Sequence, residues 1–341
     1  MPLNRRLICV LVALVVAPLA FAEKSLQVYS IDVEGGQATL FVSPSGQSLL
    51  IDTGWPGFNN RDADRIAAAA KIAGVTRLDY VLITHFHRDH VGGITQLAGK
   101  MQIGALVDHG PNLEDAEANR EDYAAYEKIA ASHKRITVKP GDHVPVKGID
   151  VLVLTAAGNH ISQPLPGAGQ SNSACDSEPK PQADATENSK SLGTLITYGK
   201  FKLLDLGDLT KDKELELVCP NNLIGMVDLF IVTHHGWNQS NTKAFVTAIQ
   251  PKAAIMNNGP RKGASPDAWQ IVHEVMADRL WQLHYAVEGG AEHNVDAKYI
   301  ANLDQKDDAG NYLKVEAHKD GSFQVTNSRT NDSVRYGNRG K

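Results

Sequence analysis

Three imidazoles and a carboxylate fall within six residues of the stretch Thr84-His85-Phe86-His87-Arg88-Asp89-His90-Val91-Gly92-Gly93. Neutral imidazole nitrogens and carboxylate oxygens are the usual donors to zinc and similar divalent cations. His85 and His87 stand two apart, so an extended turn can point both rings at one place. Asp89 and His90 follow at once, and Gly92 and Gly93 let the chain turn sharply behind them. Four donors gathered at the mouth of one strand point to a metal site rather than to unrelated surface histidines.

The elements that must position these groups are legible around them. Residues 80–83 are an apolar run that reads as a buried strand delivering the cluster. Other donors sit in the same context. Asp52 closes a strand at 48–52, Asp208 follows a strand at 201–206, and His234 and His235 follow a strand at 227–233. Further strands are expected at 26–31, 38–42, 105–108, 149–155, 192–198, 253–256, 313–317 and 322–326. Helices are expected at 62–73, 94–98, 114–133, 242–249 and 266–276, the last with Pro266 in its first turn. Residues 158–187 are rich in Gly, Pro, Ser and Asn without periodicity, and read as a long loop of the kind that often forms a functional lid. Hairpins with helices between later strands predict an α+β architecture, an αββα sandwich with helices outside two facing sheets.

The chain of 341 residues is long enough for a large core. Arg5 and Arg6, a short apolar run and Ala20-Phe21-Ala22 mark residues 1–22 as a secretory signal peptide cleaved after Ala22. The mature chain, 23–341, is then expected in the periplasm or secreted, without a membrane anchor. It reads as one domain with a strand-rich extension from about 280 to 341. Loss of Arg5 and Arg6 moves the formal net charge from −5 to −7. No basic run of five or more residues appears, which argues against tight nonspecific nucleic-acid binding. Cys175 and Cys219 remain, and an even pair in an exported chain suggests a disulfide.

The H-x-H-x-D-H-x-G-G pattern resembles the metal-binding motif of the metallo-β-lactamase superfamily. Asp32-Val33-Glu34-Gly35-Gly36-Gln37-Ala38, Leu50-Ile51-Asp52-Thr53-Gly54, Gly207-Asp208-Leu209 and His234-His235-Gly236 narrow the likeness. They resemble the β-lactamase-like domain of the competence DNA-uptake protein ComEC and related exported hydrolases. The likeness spans about residues 27–275. It departs at Lys262-Gly263-Ala264-Ser265-Pro266, where a Gly-His-Pro element is usual, and in the extra loop at 158–187.

The resemblance implies the same sandwich fold and two divalent ions, zinc first, with manganese or iron as alternatives. It implies His85 and His87 at the first ion, Asp89 and His90 at the second, Asp208 bridging, and Asp52 behind the ligands, orienting them. A histidine of the His234-His235 pair completes the second ion, His234 being favoured; His235 then serves substrate or proton transfer. His160 is favoured over Asn188 as the third ligand of the first ion. Asp89, Asp208 and His235 are the catalytic candidates. His109, Asn112, Trp237, Asn258, Arg261 and Lys262 follow predicted strands and are candidate substrate contacts, the last two suited to an anion. The expected activity is hydrolysis by a metal-activated water of a phosphodiester or other anionic ester. A lactone or β-lactam hydrolase and a non-enzymatic metal- or surface-binding module are the alternatives.

Overall fold

The computed structural model describes residues 24–304 and 309–339; the expected signal peptide lies outside the described residues. The first half of the chain supplies β1 (Leu26–Ser30), β2 (Thr39–Val42), β3 (Ser48–Ile51), β4 (Arg77–Leu82), β5 (Gln102–Asp108) and β6 (Lys134–Thr137). Helices α1 (Arg61–Ile72), α2 (Arg88–Val91), α3 (Ile94–Ala98) and α4 (Glu117–Ala130) lie between these strands. The next section supplies β7 (Asp150–Ala156), β8 (Asn159–His160), β9 (Gly193–Tyr198), β10 (Phe201–Asp205), β11 (Leu229–Ile231), β12 (Ala253–Met256), β13 (Leu280–His284) and β14 (Ile300–Asn302), with α5 (Lys211–Val218), α6 (Lys243–Ile249) and α7 (Pro266–Met276). The tail adds β15 (Leu313–Ala317), β16 (Phe323–Asn327) and β17 (Ser333–Tyr336).

Nine strands form one sheet in the order β17-β16-β15-β1-β2-β3-β4-β5-β6, and eight form the other in the order β14-β13-β12-β11-β10-β9-β7-β8. Alternation along each strand builds three apolar layers, because successive side chains point to opposite faces. Leu26, Val28, Leu49 and Ile51 of the first sheet meet Val151, Leu203, Ile231 and Ile255 of the second, between the sheets. Tyr29, Leu50 and Val81 face outward onto Ile66, Leu97 and Tyr126 of the first helical layer. Leu204, Phe230 and Met256 face outward onto Phe245, Trp269 and Val272 of the second. Helix, sheet, sheet, helix is the αββα sandwich that the sequence predicts.

Residues beyond 280, expected as an extension, are built into both sheets. β13 and β14 continue the second sheet in parallel from β12, and β15 pairs antiparallel with β1. The loop at 158–187 is strapped down rather than free: Cys175 and Cys219 are bonded, with an S–S distance of 2.08 Å. Among the described residues, no helix is long and apolar enough to cross a membrane.

Strands β3 to β6 run parallel, and so do β10 to β14. The segments leaving the ends of β3, β4, β10 and β11 carry Asp52, the His85–His90 cluster, Asp208 and the two later histidines. Parallel strands bring those segments to one edge of the sandwich.

Candidate metal centre

Asp89, His90, Asp208 and His235 converge at that edge, and all four are buried. Asp89 Oδ2, His90 Nε2 and His235 Nε2 form a triangle whose three sides are each 3.2 Å. Asp208 closes it, with Oδ2 3.2 Å from His90 Nε2 and Oδ1 3.3 Å from His235 Nε2. Donors about 2.0 Å from a tetrahedral cation stand roughly 3.3 Å from one another. The four residues therefore have the chemistry and the spacing of a ligand set, and can hold a metal ion.

Neighbouring charges set the ionisation of the cluster. Burial alone would push the Asp89 carboxyl up, but Lys262 and His90 hold it well below the usual range. The Asp208 carboxyl is likewise held well below its ordinary value by His234, His235 and His90, against burial. Burial would push His90 down, but Asp208, Asp89 and Asp52 raise it well above the usual imidazole value. Lys262 Nζ contacts Asp89 Oδ2 and lies 5.0 Å from the centre of the Trp55 ring.

Asp52 works from behind. Its Oδ2 lies 2.7 Å from His90 Nδ1 and accepts from the Thr84 hydroxyl at 2.7 Å, while Oδ1 accepts the Thr84 amide at 2.8 Å. A carboxylate only accepts, so it fixes the hydrogen on His90 Nδ1 and leaves Nε2 for the cluster. The Asp52 backbone is left-handed, at φ 61°. Gly92 and Gly93 have ordinary helical φ, so the turn itself does not require them; close approach does. A Cβ on Gly93 would stand 2.1 Å from Thr53 O, and one on Gly92 2.3 Å from Pro56 Cδ.

His85 is buried with Nε2 unpartnered, 4.0 Å from Asp208 Oδ2. Burial, then His90 and His87, push it well below the usual value, so its lone pair is available. The His87 ring is edge-on to His85 at 4.7 Å. Asn188 is buried nearby, with Nδ2 3.5 Å from His234 Nε2 and Oδ1 unpartnered.

Two sequence expectations require correction here. His160 does not join the cluster. The pairing of β8 back onto β7 places His160 opposite Thr155, where its Nε2 lies 3.6 Å from Glu216 and its Nδ1 2.7 Å from the Ile161 carbonyl. Asn188 is the residue of that connection that reaches the site. The second correction exchanges the two later histidines. His235 supplies the nitrogen of the four-residue cluster, whereas His234 Nε2 lies outside it, 3.3 Å from Asp208 Oδ2 and 3.5 Å from Asn188 Nδ2. Both residues are left-handed, at φ 55° and 54°, a costly pair of conformations that a strand-end reading does not anticipate. Burial pushes His234 down to about 4 against the pull of Asp208.

The candidate substrate contacts divide. His109 is buried, with Nε2 3.1 Å from Glu187, and Asn258 is buried, bonded to the carbonyls of Gly259 and His284. These bonds tie one polar atom of each side chain to the scaffold, while His109 Nδ1 and Asn258 Oδ1 are buried without a partner. Asn112 caps its own turn by accepting the Glu114 amide. Trp237 is half-buried and stacks on His234, with ring centres 6.2 Å apart. Arg261 is exposed and Lys262 half-buried beside Asp89. A second acidic group, Asp32 and Glu34 with His284, is already met by the Arg65 guanidinium, 2.9 Å from Asp32. It anchors the loop whose Gln37 amide donates to the Asp89 carbonyl.

A family model described as the metallo-β-lactamase superfamily matches residues 31–169. Recombination protein 2 of Haemophilus influenzae is 24% identical over 267 residues, covering 78% of this chain and 28% of that protein. ComE operon protein 3 of Bacillus subtilis is 27% identical over 188 residues, 54% of this chain and 20% of that protein. A hydroxyacylglutathione hydrolase of Rhodopseudomonas palustris is 33% identical over 89 residues, 25% of this chain and 29% of that enzyme. The chain thus spans less than a third of each of these relatives. Among solved structures, the metallo-β-lactamase fold protein YhfI from Bacillus subtilis is 15% identical, covering 76% of this chain and 96% of that one, with a TM-score of 0.45.

Proposed function

We propose, for a chain that belongs to the metallo-β-lactamase superfamily and resembles its competence proteins, the function of an exported metal-dependent hydrolase of phosphodiesters or other anionic esters. The observation that carries this reading is the buried Asp89–His90–Asp208–His235 ligand set at one edge of the sandwich. Asp89, His90, Asp208 and His235 would hold one zinc ion; His85, His87 and Asp208, with the Asn188 carbonyl oxygen, would hold a second. Such ions supply Lewis acidity toward the scissile group and lower the pKa of water to near neutrality.

The chain's own groups do the rest. Asp52 keeps the proton of His90 on Nδ1, so that Nε2 stays a donor. His234, neutral at pH 7 and 3.3 Å from Asp208 Oδ2, is placed to pass a proton between that carboxylate and the leaving group. It takes over the proton-transfer role first expected of His235. Lys262, beside Asp89, and the exposed Arg261 next to it in sequence would bring positive charge toward an anionic substrate. Trp55 beside Lys262 and Trp237 beside His234 offer apolar surface to a substrate. The likeness of a quarter of the chain to a hydroxyacylglutathione hydrolase supports a hydrolytic reading.

The test uses the mature chain loaded with zinc and assayed on bis(p-nitrophenyl) phosphate and on nitrocefin. Phosphodiester turnover that is lost in His90→Ala supports the proposal. Cleavage of nitrocefin alone would move the reading to lactam or lactone hydrolysis, and absence of bound metal with neither activity would leave a binding module. Export is tested by N-terminal sequencing of the secreted form, which should begin at Glu23.

A further inference from the structure

We infer that Glu114 is a positioning residue of the metal centre, holding His87 in the tautomer whose Nδ1 can bind a cation. The inference rests on the reading of His87 as a ligand given above. Glu114 Oε2 lies 2.9 Å from His87 Nε2. A carboxylate has no hydrogen to give, so the ring nitrogen facing it carries the hydrogen, and the lone pair of the neutral imidazole falls on Nδ1.

The carboxylate cannot drift, because it belongs to a closed network. The same Oε2 accepts the Glu187 amide at 2.8 Å. Glu187 answers with its own carboxylate: Oε1 accepts the Leu113 amide at 2.7 Å, and Oε2 accepts the Phe86 amide at 3.2 Å and meets His109 Nε2 at 3.1 Å. Glu187 is fully buried. Burial pushes its carboxyl up, but His109 and the Leu113 and Phe86 amides hold it below the usual range. Two acids from separate segments therefore brace each other: Glu114 holds the Glu187 amide, and Glu187 holds the amides of Leu113, next to Glu114, and of Phe86. One fixes the residue between the two motif histidines, and the other fixes the second histidine itself. The long connection before β9 ends as a strut of the site, where the sequence suggests a lid.

Glu114→Ala and Glu114→Gln separate this role from general packing. In the glutamine variant the amide oxygen must face both the Glu187 amide and His87, since turning the NH2 group inward would oppose two donors. Glutamine therefore preserves the tautomer, and alanine releases it. Ring 15N shifts of His87, read on metal-free protein at pH 8, should report the Nε2–H form in wild type and Glu114→Gln, and a mixed or inverted population in Glu114→Ala. Zinc affinity by chelator competition should fall about 10- to 100-fold in Glu114→Ala and be largely restored in Glu114→Gln. An unchanged tautomer or an unchanged zinc affinity in Glu114→Ala overturns the inference, as does a glutamine variant as defective as alanine. The tautomer is read without metal or substrate, so failure of the proposed hydrolysis leaves that result unaffected.

Discussion

Asp52→Asn should weaken the metal centre without emptying any volume. The native carboxylate accepts three hydrogen bonds: His90 Nδ1–H and the Thr84 hydroxyl on Oδ2, and the Thr84 amide on Oδ1. An asparagine has one acceptor and one donor end, and neither orientation serves all three. With its oxygen on the Thr84 amide, its NH2 faces His90 Nδ1. That contact is favourable only if the His90 hydrogen moves to Nε2, which blocks the nitrogen the cluster needs. With its oxygen on His90, its NH2 opposes the Thr84 amide, leaving a buried donor unsatisfied at a cost of about 1–3 kcal/mol. The first outcome appears in metal binding, where loss of such a supporting partner typically costs about 10- to 100-fold, or roughly 1.4–2.7 kcal/mol. The second appears in the melting temperature of the metal-free protein. Chelator competition and thermal unfolding on the same preparation separate them. Zinc affinity and melting temperature both equal to wild type would rule out this role for Asp52.

Three further outcomes follow from the geometry. His235→Ala removes one of four converging donors and should reduce zinc affinity by more than the loss of a supporting residue, whereas His160→Ala, facing Glu216, should leave it unchanged; chelator competition that ranks them the other way contradicts the assignment. Glu214 is fully buried beneath the amides of Asn241 and Thr242, and burial raises it from 4.5 to about 7. An acid with a raised folded-state pKa contributes stability that is complete below about pH 4.5 and is lost as pH rises toward 7, by roughly 3 kcal/mol at most. Glu214→Gln should therefore gain melting temperature relative to wild type more at pH 8 than at pH 5; a constant difference across that window would show that Glu214 does not titrate as described. Gly93→Ala places a Cβ 2.1 Å from the Thr53 carbonyl and should destabilise by about 1–3 kcal/mol, read by urea unfolding.

The residues that announced themselves in the sequence are those tied to strong local patterns. Asp52, His85, His90 and Asp208 each follow an apolar strand, and parallel pairing carries strand ends to one edge, so their meeting was legible. The choice between His234 and His235 was not. Consecutive residues share a strand context, and only the left-handed backbone of both decides which ring turns toward Asp89. His160 misled because β8 is a two-residue strand, too short to leave a periodicity, yet it sends the ring outward to Glu216. Glu114 and Glu187 lie 73 residues apart, Glu114 just ahead of α4 rather than inside it as the pattern at 114–133 suggests, and only tertiary contact joins them. Helix α5 also escaped notice: its sequence, KDKELELV, is mostly charged, although Glu214, Leu217 and Val218 are buried. The tail strands were expected but not their partners, since pairing between β1 and β15 spans nearly the whole chain.

In the proposed function, the cluster at the sandwich edge holds metal and the metal serves hydrolysis. Stripping the mature protein of metal and titrating zinc back, while following bis(p-nitrophenyl) phosphate turnover and bound zinc together, tests it most directly. Turnover should be absent in the stripped protein, rise with zinc occupancy and be abolished by His235→Ala. Turnover that is indifferent to zinc, or zinc that binds equally well after His235→Ala, would contradict it.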